Sequence, residues 1–264
     1  KRSNRSTPGD RFPLTRMGVE QSIGDAFVRA QEYNPGTMQN GQPVRRDLDL
    51  DAIKEILNDE RNISCHSYVQ SEILMLMNLA DSLGFRVNTF THILEGYKVS
   101  DKMKTHGAMA STFSDWWAYK FEVNDAIPYN AAMLVKAGIV TAINSDDAEM
   151  GRRLNQEAAK TMKYGGLSEE EAIKLITINP ARMLHLDDRT GSIEIGKDAD
   201  LVMWSDNPLS VYSQAEKTFI EGRIYFDRRK QDEIQLEIQK ERARLIQAMI
   251  LDKSDSKKKP EHKE

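Results

Sequence analysis

Between Asn62 and Asn144 the chain repeats one pattern: a short β-prone run, a helical stretch, a glycine, then the next β-prone run. The runs are Asn62 to His66, Arg86 to Thr91, Ala108 to Thr112 and Ile139 to Asn144. Between them lie helical stretches at Ser67 to Leu83, Val99 to Thr105 and Tyr129 to Lys136, with Gly84, Gly107 and Gly138 at their exits. Strands that recur at roughly thirty-residue spacing with a helix between them are the signature of right-handed βα units around a parallel sheet. An open sheet and a closed (β/α)8 barrel both satisfy the pattern.

The flanks differ from this middle. Residues 1–17 read as a basic loop, followed by helices at Gly18 to Tyr33 and Leu48 to Asn58 with a turn-rich break, Asn34 to Gly41, between them. After Asp146 come helices at Glu149 to Tyr164 and Ser168 to Leu184, the second opened by a capping box from Ser168 and Glu171. Short strands at Ala199 to Trp204, Thr218 to Ile220 and Arg223 to Phe226 then predict a small β element with a Glu221-Gly222 turn. Residues 228–251 are helical, with Ile234, Ile238, Leu245 and Met249 on one face, and the charged stretch 252–264 is expected to be disordered. The expected organisation is a sheet domain over 1–186, a small β domain over 187–227, a helical extension over 228–251 and a tail over 252–264.

Composition excludes several classes. At 264 residues, 39% hydrophobic and 30% charged, the chain can bury a sizeable core under a charged surface. Cys65 is its one cysteine, so no internal disulfide can form, and the compartment stays open. No apolar run reaches the roughly eighteen residues that a membrane span needs. The net charge of -4 argues against nucleic acid as a partner. Eleven Lys/Arg against eight Asp/Glu over 228–264 make a mixed solvated face there rather than a basic patch.

Chemistry concentrates at the strand ends. His66 closes the first run, His92 follows the second, and Asp146 lies just past the fourth. In parallel βα proteins those positions line the mouth of the site. Two imidazoles and a carboxylate on three strands suit a divalent cation such as zinc, and Asp146 beside it could ligate, accept a proton, or do both in turn. The plain alternative is that each is a hydrogen-bonded loop residue. Tyr68, Glu95 and Tyr97 are candidates for contacting substrate, while Trp116 and Trp117 are expected to pack in the core. Asp147 reads as a helix cap, His106 as structural at a helix exit, and His185 and His262 receive no role.

These residues and one further passage carry a family resemblance. Asn179-Pro180-Ala181-Arg182, continued by Gly191-Ser192-Ile193 and Gly196-Lys197-Asp198-Ala199-Asp200-Leu201-Val202, is similar to the hallmark passage of the amidohydrolase superfamily, closest to its imidazolonepropionase-like bacterial branch. Asn207-Pro208-Leu209 and Glu221-Gly222-Arg223 fit the closing β element of that family. The resemblance covers about residues 10–230 and implies an α/β fold: part of a (β/α)8 TIM-like barrel, about strands five to eight, with the remnant of a small β-sandwich and a carboxyl-terminal helix. It implies metal-dependent hydrolysis of a C–N bond in a small molecule, an amide, cyclic amide or dipeptide. His66 would be the fifth-strand ligand of a divalent metal, zinc by preference, and His92 the sixth-strand ligand. Asp146 would be the eighth-strand aspartate that also moves the proton.

The family's first-strand His-x-His pair occurs nowhere in the sequence. The chain also begins Lys1-Arg2-Ser3 without an initiator methionine. Half a barrel would leave strand edges unpaired, which proteins normally avoid. An excerpt, a cleaved product or one subunit of a split enzyme is therefore expected, partnered by an amino-terminal barrel half, with a homo-oligomer left open. The rival expectation is a non-catalytic scaffold or binding subunit that keeps half of the barrel.

Overall fold

The computed structural model describes residues 11–256. Helix α1 (Arg16–Glu32) starts on Thr15, whose Oγ1 accepts from the Gly18 N–H at 3.1 Å. Strands β1 (Met38–Gln39) and β2 (Gln42–Pro43) form a hairpin with a two-residue turn at the end of the turn-rich break. Asn40 and Gly41 supply its two positive φ angles, 51° and 76°. Helix α2 (Leu48–Leu57) is capped by Asp47, whose Oδ1 accepts from Asp49 and Leu50 N–H at 3.0 and 3.2 Å.

The repeating middle folds as β3 (Ser64–His66), α3 (Gln70–Leu83), β4 (Thr89–Thr91), α4 (Ser100–His106), β5 (Met109–Thr112), α5 (Asn130–Lys136) and β6 (Thr141–Ile143). The four strands make one parallel sheet in the order β3-β4-β5-β6. This is an α/β architecture of the kind that makes up part of a TIM-like barrel. Register places His66 opposite Thr91, and Thr91 opposite Ser111. The carboxyl ends of the strands therefore stand level, and His92 and Asn144 leave the sheet at the same end.

Helix α3 buries Ile73, Leu76, Met77 and Ala80, the i, i+3, i+4, i+7 stripe of an amphipathic helix. They pack with Val87, Phe90, Ile93, Met103 and Leu134 in the main core. Each large apolar side chain so buried stabilises the fold by about 1.5–3 kcal/mol. The Phe27 and Phe85 rings stack with centroids 3.8 Å apart and bring α1 onto this core.

Past β6 come α6 (Ala148–Gly151), α7 (Leu154–Gly165), α8 (Glu169–Lys174) and α9 (Ile178–Met183). The capping box at Ser168 and Glu171 is present. The single helix expected over 168–184 is instead two. Pro180 has no N–H and disfavours helical geometry at the residue before it, so it is accommodated within the first turn of a new helix, where N–H groups lack intrahelical partners.

The chain divides into two compact units, one ending at Ser192 and the other starting at Ile193. The second holds an antiparallel sheet of β7 (Leu201–Trp204), β8 (Ala215–Ile220) and β9 (Arg223–Asp227), in that order, followed by α10 (Arg228–Ser256). Helix α10 thus continues beyond 251 into the stretch expected to be disordered, and residues 257–264, with His262, lie outside the described residues. Ile234, Ile238, Leu245 and Met249 are exposed on it. No helix among the described residues is long and apolar enough to cross a membrane.

Candidate active site at the carboxyl ends of the parallel strands

Strand β4 ends at Thr91, and His92 turns the chain with a positive φ of 63°. That conformation is uncommon outside glycine and clusters at functional positions. It leaves the imidazole only 4% exposed. His92 lies on the Phe113 ring at a centroid distance of 4.9 Å, and Phe113 in turn stacks on Trp116 at 4.5 Å. The His66 ring meets His92 from β3 at 4.6 Å, and Asp146 Oδ1 lies 3.6 Å from His92 Nε2. Three residues from three strand ends therefore meet around one buried imidazole, with His66 and Asp146 on the exposed side.

The far side of His92 is held by polar groups. The Asn144 side-chain amide lies 2.8 Å from His92 Nδ1, and Ser111 Oγ donates to Asn144 Oδ1 at 2.7 Å. With the Asn144 N–H donating to Nδ1, the ring proton of neutral His92 sits on Nε2, facing Asp146. Turning the amide over presents Oδ1 to an Nδ1–H and frees the Nε2 lone pair for a cation. Ser111 Oγ then accepts from Asn144. Either state satisfies both partners, so the Asn144–Ser111 pair can serve a ligating histidine.

The donor set fits a divalent cation in part by distance. Nitrogen and oxygen ligands of a tetrahedral zinc stand roughly 3.4 Å apart, given bonds of about 2.0–2.2 Å. The His92 Nε2 to Asp146 Oδ1 separation of 3.6 Å is close to that. Among the described residues no three His, Cys, Asp or Glu side chains are gathered at metal-ligand spacing. His66, His92 and Asp146 are the residues that would hold the ion.

The other expected contacts fall nearby with different duties. Tyr68 is buried, with its ring centroid 6.2 Å from that of His92, and Lys120 Nζ donates to its hydroxyl at 3.2 Å. Glu95 is also buried; its carboxylate accepts from the Gln70 N–H at 3.1 Å, at the start of α3, and from Lys98 Nζ at 3.3 Å. The Tyr97 hydroxyl donates to the Asp125 carbonyl at 3.0 Å. Trp116 packs against Phe113, whereas Trp117 is 47% exposed, so the tryptophan pair divides between core and surface.

The segment after β5 is pinned to α7. Ser114 Oγ donates to the buried Glu157 carboxylate, and Lys160 Nζ bridges Glu157 and Asp115 at 2.9 Å each. Burial works against the Lys160 charge, but the two carboxylates outweigh it and raise its pKa above the usual value. This clamp fixes the segment that brings Phe113 against His92.

Remaining residues are structural. Asp147 caps α6, accepting from Glu149 and Met150 N–H at 2.9 and 3.0 Å. His106 Nε2 accepts from the Val87 N–H at 3.1 Å, and its Nδ1 meets Asp81 Oδ1 at 2.6 Å. His185 Nε2 lies 2.9 Å from Asn88 Oδ1. Phe113, Ser111 and Lys120 escaped the sequence reading because nothing in their spacing singles them out. Asn144 lay in view beside Asp146.

Known proteins place the fold. The Amidohydrolase family model matches residues 128–225. An amidohydrolase structure from Thermotoga maritima superposes with a TM-score of 0.74 at 30% identity, over 83% of this chain and 58% of that one. Over 218 residues the chain is 28% identical to imidazolonepropionase of Thermoplasma volcanium, covering 80% of this chain and 50% of the relative. Over 234 residues it is 27% identical to amidohydrolase tasK of Hapsidospora irregularis, covering 81% of this chain and 24% of the relative. The chain belongs to the amidohydrolase superfamily. It spans half or less of the length of these two curated relatives.

Proposed function

We propose that this chain carries part of a metal-dependent hydrolase that cleaves a C–N bond of a small molecule, an amide or cyclic amide, with dipeptides included. The observation that carries the reading is the convergence of His66, His92 and Asp146 at level strand ends, with Asn144 behind His92. The imidazolonepropionase and amidohydrolase relatives support it. Strands β3 to β6 would be the fifth to eighth of the barrel. As the two edges of the sheet, β3 and β6 would pair with the remaining strands, supplied by the same gene or a partner chain.

A divalent cation, zinc by preference, would polarise the scissile carbonyl and make water a better nucleophile near neutral pH. The chain's own residues do the rest. His92, fixed by Asn144 below and Phe113 beside it, presents Nε2 in one direction. Asp146, with its side chain 52% exposed, can take a proton from the attacking water and return it to the leaving nitrogen, so that one C–N bond and one water become an acid and an amine. Phe113 and Trp116 wall one side of His92 with apolar rings.

The test is hydrolysis of N-acyl amino acids and cyclic amides by the native protein supplied with zinc. Asp146→Asn should lower kcat at least about 100-fold while the thermal melt stays unchanged. No turnover of any C–N substrate would favour the scaffold instead, and turnover that survives Asp146→Asn would show that Asp146 is not the group that moves the proton.

A further inference from the structure

Lys120 is held differently from the other two lysines near the strand ends, Lys98 and Lys160. Lys98 and Lys160 are committed to carboxylates, Asp125 at 2.5 Å and Asp115 at 2.9 Å. The oxygen partner of Lys120 is instead a phenol, Tyr68 Oη, at 3.2 Å. Its ammonium also lies 4.3 Å from the Tyr68 ring centre and 5.3 Å from that of Tyr119. Aromatic faces hold a cation without neutralising it. Glu122 attracts it through space. Burial lowers the Lys120 pKa, but the Tyr68 hydroxyl together with Tyr119 and the Glu122 charge outweighs it, and the net shift is upward, so the group stays charged.

Its place is as telling as its partners. Tyr68 follows β3 by two residues and Lys120 lies in the segment after β5, so both belong to the strand-end face that carries His66 and His92. The Tyr68 ring centre lies 6.2 Å from that of His92 and 4.3 Å from the Lys120 ammonium. A second aromatic path, His92 to Phe113 to Trp116 to Tyr119, reaches the same lysine. Lys120 is half-buried at the end of both paths.

We propose that Lys120, seated on Tyr68, recognises a carboxylate of the substrate and selects molecules that carry that carboxylate a few bonds from the scissile C–N bond. The inference rests on the hydrolase reading for the reaction but not for the binding. Lys120 would donate a charge-assisted hydrogen bond to the carboxylate while the aromatic rings cover the apolar atoms between the two ends. Neutral amides of the same shape would lose that bond.

The experiment is a calorimetric or NMR titration of the native protein, with zinc supplied, by N-acetyl-L-leucine and its uncharged partner N-acetyl-L-leucinamide. The acid should bind about tenfold more tightly than the amide, the size of one hydrogen bond to a charged group. Lys120→Met should bring that ratio near one and leave amide binding unchanged, while Lys120→Arg should keep most of it. Unaltered melting curves establish that the variants fold, and Lys120→Gln replaces Lys120→Met if the latter does not. Equal binding of acid and amide, no binding of either, or a preference that persists in Lys120→Met overturns the proposal, the last because the carboxylate would then be seeking the metal. If the ratios behave as expected and no C–N substrate is hydrolysed, the hydrolase reading falls and anion recognition stands. Hydrolysis without a carboxylate preference has the opposite meaning.

Discussion

His92 combines a left-handed backbone, a buried ring and a fixed Nδ1 partner, and each has a separate cause. The backbone turn ends β4, the ring fills space beside Phe113, and Asn144 with Ser111 decides where the ring proton sits. Asn144→Leu removes that choice at nearly constant volume. Zinc affinity, measured by competition with a chromophoric chelator, should fall about 10–100-fold, whereas Asn144→Asp should keep it near wild type. Equal affinity in the leucine variant would show that Asn144 is packing only. Cys65 lies between two exposed neighbours on β3, yet its environment silences it: burial, helped by the negative Glu72, pushes its thiol pKa up to about 11. Roughly one thiol in ten thousand is then thiolate at pH 7, so iodoacetamide should label folded protein far more slowly than urea-unfolded protein. Similar rates would contradict that burial. At this scale His66, His92 and Asp146 were legible because histidine and aspartate at strand ends are chemically distinctive. Phe113 and Lys120 were not, since a phenylalanine and a lysine are ordinary in any loop and gain meaning only from what they touch.

Elements explain both what the sequence announced and what it concealed. The four strands and three crossover helices follow from hydrophobic periodicity and glycine exits, so the parallel sheet could be read in advance. The split of 168–184 into α8 and α9 was hidden because apolar residues continue at helical spacing across Leu175, while the backbone breaks ahead of Pro180. The approach of α7 to α5 was hidden too. A Cβ built on Gly165 would lie 1.9 Å from the Ala132 Cβ, far inside contact distance, so the two helices meet only because this residue has no side chain. Gly165→Ala gains a small helix preference and loses more to overpacking. A net destabilisation of about 1–3 kcal/mol is expected by urea unfolding, with Ala132→Gly in the same chain recovering part of it. A stabilised single variant would mean that α5 and α7 can separate at no cost. Because α7 also carries Glu157 and Lys160, which clamp the Phe113 segment, a loosened α7 should be felt at His92.

For the molecule as a whole, the superfamily was legible from the passage between Asn179 and Val202, far from the strand-end histidines. The two signals reinforce each other because the passage identifies a family and the histidines identify a place in it. What the sequence could not convey is how closely the three donors approach. Distances of 3.6 Å between His92 and Asp146 and 4.6 Å between the imidazole rings arise from strand register, which sets His66 opposite Thr91 and brings β6 level with β5. The substrate is harder still, since loops after every strand of a barrel shape its mouth. The central claim is that three strands of this sheet deliver His66, His92 and Asp146 to one cation. Elemental analysis of the native protein after zinc loading and exhaustive dialysis tests it most directly. One tightly held zinc per chain is expected, lost in His92→Ala and strongly reduced in Asp146→Ala; no stoichiometric zinc, or a zinc content unchanged by Asp146→Ala, would contradict it.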